Sequence, residues 1–205
     1  MVACNASGAC SYHYGPTRQH IERLRLVLMD GSVIDLKRGD RLTKGRDFSV
    51  QTEQGAIIAE SIPAYAMPAV KNASGYFAGD NMDLLDLFIG SEGTLAVMSE
   101  VELRLTPVPP VIWGVMMFFG SESDGIKFVK KLRASKSNPV AIEFFDHGSL
   151  DLLRRQKAEN PAFREVPILP PEWHTAIYVE FHGQSDAEIE PAVCHTFRNG
   201  ILKKF

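Results

Sequence analysis

The stretch DLLDLFIGSEGTLAVMSEVELRLTPVP, residues 83–109, decides the fold because it contains a helix, a turn, a strand and a break in immediate succession. Apolar residues at helical spacing predict a helix over residues 82–88, which Gly90 ends. After the Ser-Glu-Gly turn, alternating apolar and charged residues predict a strand over residues 94–105. The prolines of TPVPP, residues 106–110, resist both helix and central strand, so the chain is expected to divide there.

The residues on either side of this stretch predict a mixture of helices and strands. An Asp-Gly pair at 30–31 and a Gln-Gly pair at 54–55 each lie between alternating runs, which is typical of a hairpin. Residues 17–24 predict a short helix, and no packing partner is expected for the polar residues after Pro191. Beyond residue 110, apolar periodicity predicts strands over 112–119, 140–145 and 176–181 and helices over 124–135 and 149–157. This order of elements predicts an α+β fold.

Composition and charge exclude several classes of protein. The 205 residues are 45% hydrophobic and 23% charged, which is ordinary for a globular protein and excludes wholesale disorder. The formal charge of −3 predicts no nucleic-acid partner, and we interpret the basic run at residues 37–46 as a solvated loop. No apolar run is long enough to span a membrane, and the N-terminus lacks the pattern of a secretory leader. A cytoplasmic location is therefore expected.

The cysteines and histidines show no recognisable metal-binding pattern. The chain has three cysteines, Cys4, Cys10 and Cys194, and six histidines, and none of their spacings matches a familiar zinc or iron–sulfur motif. An odd number of cysteines is also too few for a disulfide scaffold. The sequence therefore predicts reduced thiols and no metal site.

Two glycine-bearing segments are the strongest candidates for a binding site, NASGACSYHYG at residues 5–15 and GSEGTL at residues 90–95. Glycine leaves the backbone amides open, so a phosphate or a planar ring can approach the main chain closely. Neither segment has the spacing of a Walker loop or of a dinucleotide-binding Gly-x-Gly-x-x-Gly turn. Taken singly, each is more often a tight turn without a ligand.

Taken together and in this order, the two segments resemble the flavin-binding domain of the FAD-linked oxidases, the family of vanillyl-alcohol oxidase and p-cresol methylhydroxylase. The segment PAYAMPAVKNASGYFAG at residues 63–79 is similar as well. The nearest branch contains the glycolate oxidase flavoprotein subunit, D-lactate dehydrogenase and alkyl-dihydroxyacetone-phosphate synthase. The resemblance implies that residues 1–110 form the second half of a p-cresol methylhydroxylase-type FAD-binding domain. It implies that residues 111–205 begin an α+β substrate cap domain.

The same resemblance implies FAD as the cofactor and two stretches that contact it. Those stretches are Asn5, Ala6, Ser7, Gly8, Ala9, Cys10, Tyr14 and Gly15, followed by Glu92, Gly93, Thr94, Leu95, Ala96 and Val97. Their hydroxyls and backbone amides suit phosphate and ribityl oxygens. The family usually has glycine where this chain has Ala96. Lys71 and Tyr76 are further candidates for lining a flavin pocket.

No catalytic residue can be assigned from the sequence. Glu143 lies near Asp146 and His147 at the end of a predicted strand, where a substrate acid could be met. Glu180 and His182 occupy alternate positions of one strand, so they share a face and could act together. Exposed charges at strand ends are more often structural than catalytic, so both groups are weak candidates.

The activity implied by the resemblance is oxidation of a small 2-hydroxy acid, of the glycolate or D-lactate type, by hydride transfer to flavin. An electron-acceptor protein and a homo-oligomeric state are further expectations. Because the family has a pyrophosphate-binding subdomain ahead of the first motif, the chain resembles an internal fragment, expected to bind FAD weakly and to be inactive alone. Two alternatives stay open: a catalytically incompetent binding or assembly module, and an FAD-dependent alkyl transferase of the same fold.

Overall fold

The computed structural model describes residues 1–70 and 72–198, which divide into two compact units. Among these residues, the first unit holds 1–8 and 15–106, and the second unit holds 9–14 and 107–198. Helices and strands occur in both units, so the expected α+β fold class is confirmed. The identification of the two parts as portions of a FAD-binding domain and a cap domain stays a prediction.

The elements are numbered in chain order. The helices are α1 (Ser11–Tyr14), α2 (Leu85–Phe88), α3 (Glu122–Arg133), α4 (His147–Glu159) and α5 (Asp186–Arg198). The strands are β1 (Ile21–Val27), β2 (Val33–Lys37), β3 (Asp47–Gln51), β4 (Ile57–Ser61), β5 (Val97–Leu103), β6 (Val111–Phe119), β7 (Ala141–Phe145) and β8 (Thr175–Gly183).

The first unit contains a three-stranded antiparallel sheet of order β2-β1-β5 and a separate β3-β4 hairpin. Both hairpins predicted at Asp-Gly and Gln-Gly pairs are confirmed, since Gly31 and Gly55 supply positive φ angles of 82° and 89°. Leu24 and Leu26 of β1 face the core together with Leu36 of β2, and each is at most 1% exposed. The sheet therefore buries one face against α2 and its flanking residues.

The helix predicted over residues 17–24 is wrong beyond its first turn. Only Thr17–His20 form a helical turn, of the 3₁₀ type, and β1 begins immediately afterwards. Ile21, Leu24 and Leu26 are fully buried on the strand, where they pack in the core beneath paired neighbours. Burial on a paired strand has therefore prevailed over the local helical signal.

The helix predicted over residues 82–88 is wrong in its first half. Asn81 has a positive φ of 56°, which is not helical, and its Oδ1 accepts a hydrogen bond from the Gly45 amide at 2.9 Å. Asp83 forms an isolated bridge with Leu42 instead of starting a helical turn. The apolar spacing was correct about which side chains are buried, but tertiary contacts of the preceding residues shorten the helix.

The second unit is built on an antiparallel sheet of order β6-β8-β7. The three strands and two helices predicted beyond residue 110 are confirmed, with small changes at their ends. Ile177, Val179 and Phe181 of β8 lie in a core that includes residues of α3 and α5. The opposite face of β8 is therefore free to carry polar side chains.

Helix α5 is the element that the sequence interpretation missed. The expectation that residues after Pro191 lack a packing partner is wrong, because Val193 is 4% exposed and packs in the same core as Ile189. Proline removes one backbone hydrogen bond, but apolar residues four apart still bury one face of the helix. Residues 199–205 lie outside the described part of the chain. No helix in the described part is both long and apolar enough to cross a membrane.

Candidate functional site

The two glycine-bearing segments singled out in the sequence meet in the first unit. The Gly90 amide donates to the Val2 carbonyl at 3.1 Å, and the Glu92 amide donates to the Ala3 carbonyl at 2.8 Å. A Cβ on Gly90 would lie 3.3 Å from the Cβ of Asn5, tighter than ordinary contact. Gly90 also has a φ of 85°. Glycine therefore suits this position both for its backbone conformation and for the lack of space for a side chain. We call residues 2–8 with 90–94 the paired turns.

The outer side of the paired turns is open. Glu92 and Gly93 are exposed and have φ angles of 55° and 76°, so consecutive residues adopt the left-handed conformation that shapes anion-binding backbone concavities. Neither Gly8 nor Gly93 has any heavy atom within 4 Å of where a Cβ would stand. Beneath them, the buried Ser91 Oγ has no hydrogen-bond partner among the described residues. A ligand could therefore approach the main chain at both glycines.

Arg18 fixes the inner side of the paired turns. Its backbone amide donates to Asn5 Oδ1 at 2.9 Å, and its guanidinium donates to the Ile89 carbonyl at 2.5 Å. The guanidinium also pairs with the Asp86 carboxylate at 3.2 Å and stacks over the Phe77 ring, 4.4 Å from its centroid. One largely buried cation thus ties both turns to the end of α2.

The residues that follow Gly93 differ in burial. Thr94 Oγ1 donates to the Ser91 carbonyl at 2.6 Å and lies 2.6 Å from Tyr76 Oη, so its hydroxyl closes the turn. Leu95 is half-buried and Ala96 is 5% exposed in the core of the first unit. The extra methyl of Ala96, where the family usually has glycine, therefore packs in the core of the unit. Val97 opens β5 and is 68% exposed.

Three of the predicted cofactor residues belong to the second unit. Ala9, Cys10 and Tyr14 belong to the second unit, where α1 contacts β7. Gly15 and Ala6 lie in the first unit, where the Ala6 carbonyl accepts a hydrogen bond from the hydroxyl of Thr17 at 2.7 Å. The resemblance implies that residues 5–15 form one continuous stretch in contact with FAD.

Glu180 is the centre of a polar cluster in the second unit. Its Oε2 accepts a hydrogen bond from Tyr178 Oη at 2.5 Å, and its Oε1 lies 2.8 Å from His182 Nε2. Cys10 Sγ donates to the same Oε1 at 3.5 Å. Tyr14 Oη lies 2.9 Å from His182 Nδ1 and completes the chain of contacts. We call these five residues the β8 cluster.

The alternation of β8 explains why the cluster forms. Ile177, Val179 and Phe181 point into the apolar core, so the residues between and after them point to the other face. On that face Gly114 of β6 pairs with Glu180, and a Cβ on Gly114 would lie 2.6 Å from Tyr178 Oη. The missing side chain at Gly114 gives the tyrosine ring room to cross the strand.

Burial and hydrogen bonding set the protonation states within the β8 cluster. The hydrogen bond from Tyr178 lowers the pKa of Glu180 and outweighs the opposing effect of burial. Burial, with a contribution from Glu180, raises the pKa of Tyr178 to about 12. Burial and the hydrogen bond to Glu180 also raise the pKa of the Cys10 thiol. At neutral pH Glu180 is therefore a carboxylate that accepts hydrogen bonds from the protonated Tyr178 hydroxyl and Cys10 thiol.

The remaining sequence candidates are not gathered into a site. Asp146 caps α4 through its side chain, and His147 pairs with a carboxylate one turn later on the same exposed surface. Neither has a hydrogen bond or ion pair to Glu143 among the contacts of the described residues. Tyr76 contacts the paired turns, as described above, whereas Lys71 lies outside the described residues.

Sequence reasoning missed part of the β8 cluster for an identifiable reason. The alternation of Glu180 and His182 on one strand face was visible, and the structure joins their side chains directly. Cys10 and Tyr14 reach the same place from the opposite end of the chain, 170 residues from Glu180 in the case of Cys10. No local spacing can indicate a contact of that separation.

The fold is similar to that of a protein of known structure. Alkyldihydroxyacetonephosphate synthase superposes with a TM-score of 0.63 over 97% of this chain and 31% of its own, at 15% sequence identity. At that identity the likeness shows the fold alone. No family model matches the chain.

Several proteins of known name are similar to this chain in sequence. A D-lactate dehydrogenase of Archaeoglobus fulgidus is 28% identical over 80% of this chain and 29% of its own length. Glycolate oxidase subunit GlcD of Bacillus subtilis is 26% identical over 71% of this chain and 24% of its own length. The resemblance to the D-lactate dehydrogenase and glycolate oxidase branch of the FAD-linked oxidases is therefore confirmed. The chain spans less than a third of the length of either relative.

Proposed function

We propose that this chain is part of a FAD-dependent oxidoreductase that oxidises a small 2-hydroxy acid. The observation that carries the proposal is the pairing of the two turns, because Gly90 and Glu92 donate backbone hydrogen bonds to Val2 and Ala3, which lie far away in sequence. Relatives named D-lactate dehydrogenase and glycolate oxidase subunit supply the substrate class. An electron-acceptor protein and a homo-oligomeric state belong to the same proposal.

The residues of the paired turns fit a flavin nucleotide. Its phosphate and ribityl oxygens need donors that approach closely, and open space lies where a side chain would stand on Gly8 and on Gly93. The exposed Ser7 hydroxyl adds a further donor beside them. Arg18 holds both turns in place from behind, so binding would require little rearrangement. When bound, FAD supplies the acceptor for the hydride that leaves the substrate carbon.

A matched pair of glycine variants tests the binding half of the proposal. Gly93 and Gly55 both have positive φ and open space, but Gly55 lies in the β3–β4 hairpin. We expect Gly93→Val to weaken FAD binding by about tenfold or more, since one or two hydrogen bonds to charged oxygens are lost. Gly55→Val carries the same backbone strain and is expected to leave FAD binding unchanged.

FAD binding is measured by flavin fluorescence during titration of the purified chain, with circular dichroism to establish that each variant is folded. The proposal is contradicted if the two variants bind FAD equally well, or if the chimera described below takes up no flavin. Loss of binding in Gly55→Val alone would also contradict it.

A chimera tests the oxidation. The part of this chain that aligns over 165 residues with the Archaeoglobus D-lactate dehydrogenase replaces the matching part of that enzyme. An artificial electron acceptor then reports on turnover. We expect a yellow protein that oxidises D-lactate or glycolate. A chimera that retains flavin but oxidises neither acid would favour a binding module over an oxidoreductase.

A further inference from the structure

The β8 cluster brings three different metal-ligand types to one point of the second unit. Within the described part of the chain, Cys10 Sγ, a carboxylate oxygen of Glu180 and a ring nitrogen of His182 all lie within 4.8 Å of one another. The side chains of Glu180 and His182 are only 17% and 12% exposed. A thiol, a carboxylate and an imidazole that converge in a largely buried place form a donor set typical of divalent transition metals.

The distances are those of a site that needs little adjustment. Ligands about 2.0–2.3 Å from a tetrahedral zinc ion lie roughly 3.3–3.8 Å from one another. Cys10 Sγ is 3.5 Å from Glu180 Oε1, which falls in this range. His182 Nε2 is 2.8 Å from the same oxygen, so this pair would have to separate slightly to admit an ion.

The two tyrosines orient the donors from outside. Tyr14 Oη contacts His182 Nδ1, which leaves Nε2 for the interior of the cluster. Tyr178 donates to Glu180 Oε2, which leaves Oε1 on the side of Cys10 and His182. Metal-binding histidines and carboxylates are usually fixed by such outer hydrogen bonds, because these select the tautomer and the ring orientation.

We infer that Cys10, Glu180 and His182 bind a divalent metal ion of the zinc class, with a water molecule in the fourth position. On binding, the Cys10 S–H bond breaks, the proton passes to solvent, and the thiolate sulfur coordinates the ion. No oxidant or reductant is required. The inference does not rest on the proposed flavin function, since all of its residues lie in the second unit.

The other two cysteines provide matched controls. Cys4 and Cys194 are both exposed, and neither belongs to a group of converging ligands among the described residues. A cysteine-to-serine change at either position removes one thiol and leaves the β8 cluster intact. Any spectroscopic signal from a thiolate-bound metal should therefore depend on Cys10 alone.

Cobalt(II) is the probe for the test, because a thiolate ligand gives it a charge-transfer absorption that oxygen and nitrogen ligands do not. The chain is treated with a chelator, kept reduced without added thiols, and titrated with cobalt(II) and then zinc(II). We expect one ion per chain, a thiolate charge-transfer band, and displacement of cobalt by zinc. Cys4→Ser and Cys194→Ser should keep the band, whereas Cys10→Ser should abolish it and weaken zinc binding by about 100-fold or more.

Tyr14→Phe supplies a second test that keeps all three ligands. It removes the outer hydrogen bond to His182, and we expect it to weaken cobalt(II) binding by about 10- to 100-fold while retaining the charge-transfer band. The inference is overturned if the folded wild-type chain binds no stoichiometric cobalt(II). It is equally overturned if the band persists in Cys10→Ser, or if Tyr14→Phe binds as tightly as wild type.

Discussion

The two three-stranded sheets carry very different side chains on the face opposite their apolar cores. In the first unit, that face of β1 holds Arg23 and Arg25, which pair with carboxylates such as Asp35 and Glu100. These groups stay partly in water, with Arg23 29% and Glu100 53% exposed. In the second unit the corresponding face holds the β8 cluster, whose Glu180 and His182 are less than a fifth exposed.

The difference separates a solvated structural surface from a candidate site. Exposed ion pairs gain little because water and salt screen them, so the first face serves solubility and register. A largely buried carboxylate with several donors loses much of its hydration and is held mainly by those partners. Buried polar groups with shifted pKa values concentrate at functional sites. The polar residues of the first sheet thus form solvated ion pairs, whereas those of the second sheet form a largely buried cluster.

The largest expected effect comes from what the sheets share, their buried apolar faces. Leu24→Ala in β1 and Ile177→Ala in β8 each remove a fully buried side chain. We expect each variant to lose about 2–5 kcal/mol of unfolding free energy, from lost burial and the cavity that remains. Urea denaturation followed by circular dichroism measures this loss. A cost below about 1 kcal/mol for either variant would show that its core face is not packed as described.

The next effect distinguishes the polar faces. Glu180→Gln replaces the acceptor of Tyr178 and Cys10 with an amide that keeps the same shape. We expect the chelator-treated protein to lose about 1.5–3 kcal/mol of unfolding free energy, because hydrogen bonds to a charged group are lost in a buried place. Urea denaturation at neutral pH gives the value. A neutral result would mean that the β8 cluster is as solvated as the ion pairs of the first sheet.

The same contrast explains how much of the fold could be predicted. The β1–β2 hairpin depends on Asp30 and Gly31, which are adjacent and act locally, so the sequence predicts it correctly. The helix expected over 17–24 fails because Ile21 and Leu24 are captured by strand partners far away in sequence. Local turn chemistry can be read from a single chain, whereas the competition between helix and sheet is decided by partners that the sequence does not mark.

The two candidate sites also differ in how far the sequence alone could predict them. The paired turns could be predicted from glycines and small residues in two motifs, since backbone exposure is a local property of Gly93 and Gly8. Their contact with each other follows only from the fold. In the β8 cluster, the alternation of the strand predicts that Glu180 and His182 share a face. Cys10 reaches them only because residues 9–14 pack with the second unit. The packing of residues 9–14 with the second unit produces no periodic pattern in the sequence.

A smaller effect tests why the β8 cluster has room to form. A Cβ on Gly114 would meet Tyr178 Oη at 2.6 Å, whereas a Cβ on Gly120, just after the same strand, has its nearest neighbour at 3.7 Å. We expect Gly114→Ala to cost about 1–3 kcal/mol of unfolding free energy, as overpacking does, and Gly120→Ala to cost clearly less. Urea denaturation compares the pair. Equal costs would mean that the tyrosine ring moves aside freely.

The smallest effect belongs to the exposed face of the first sheet. Hydrogen bonding from Arg23, with added attraction from Arg23 and Arg25, lowers the pKa of Asp35. A lowered folded-state pKa stabilises the fold above the unfolded-state value, about 3.9, and this stabilisation is lost as pH falls through the folded-state value. Asp35→Asn should therefore cost less at neutral pH than any variant above and should flatten the acid limb of stability. Unfolding measured from pH 7 to pH 2 shows this, and added salt should shrink the difference from wild type because both partners remain partly in water. A loss at neutral pH as large as that of Glu180→Gln would erase the distinction between the two faces.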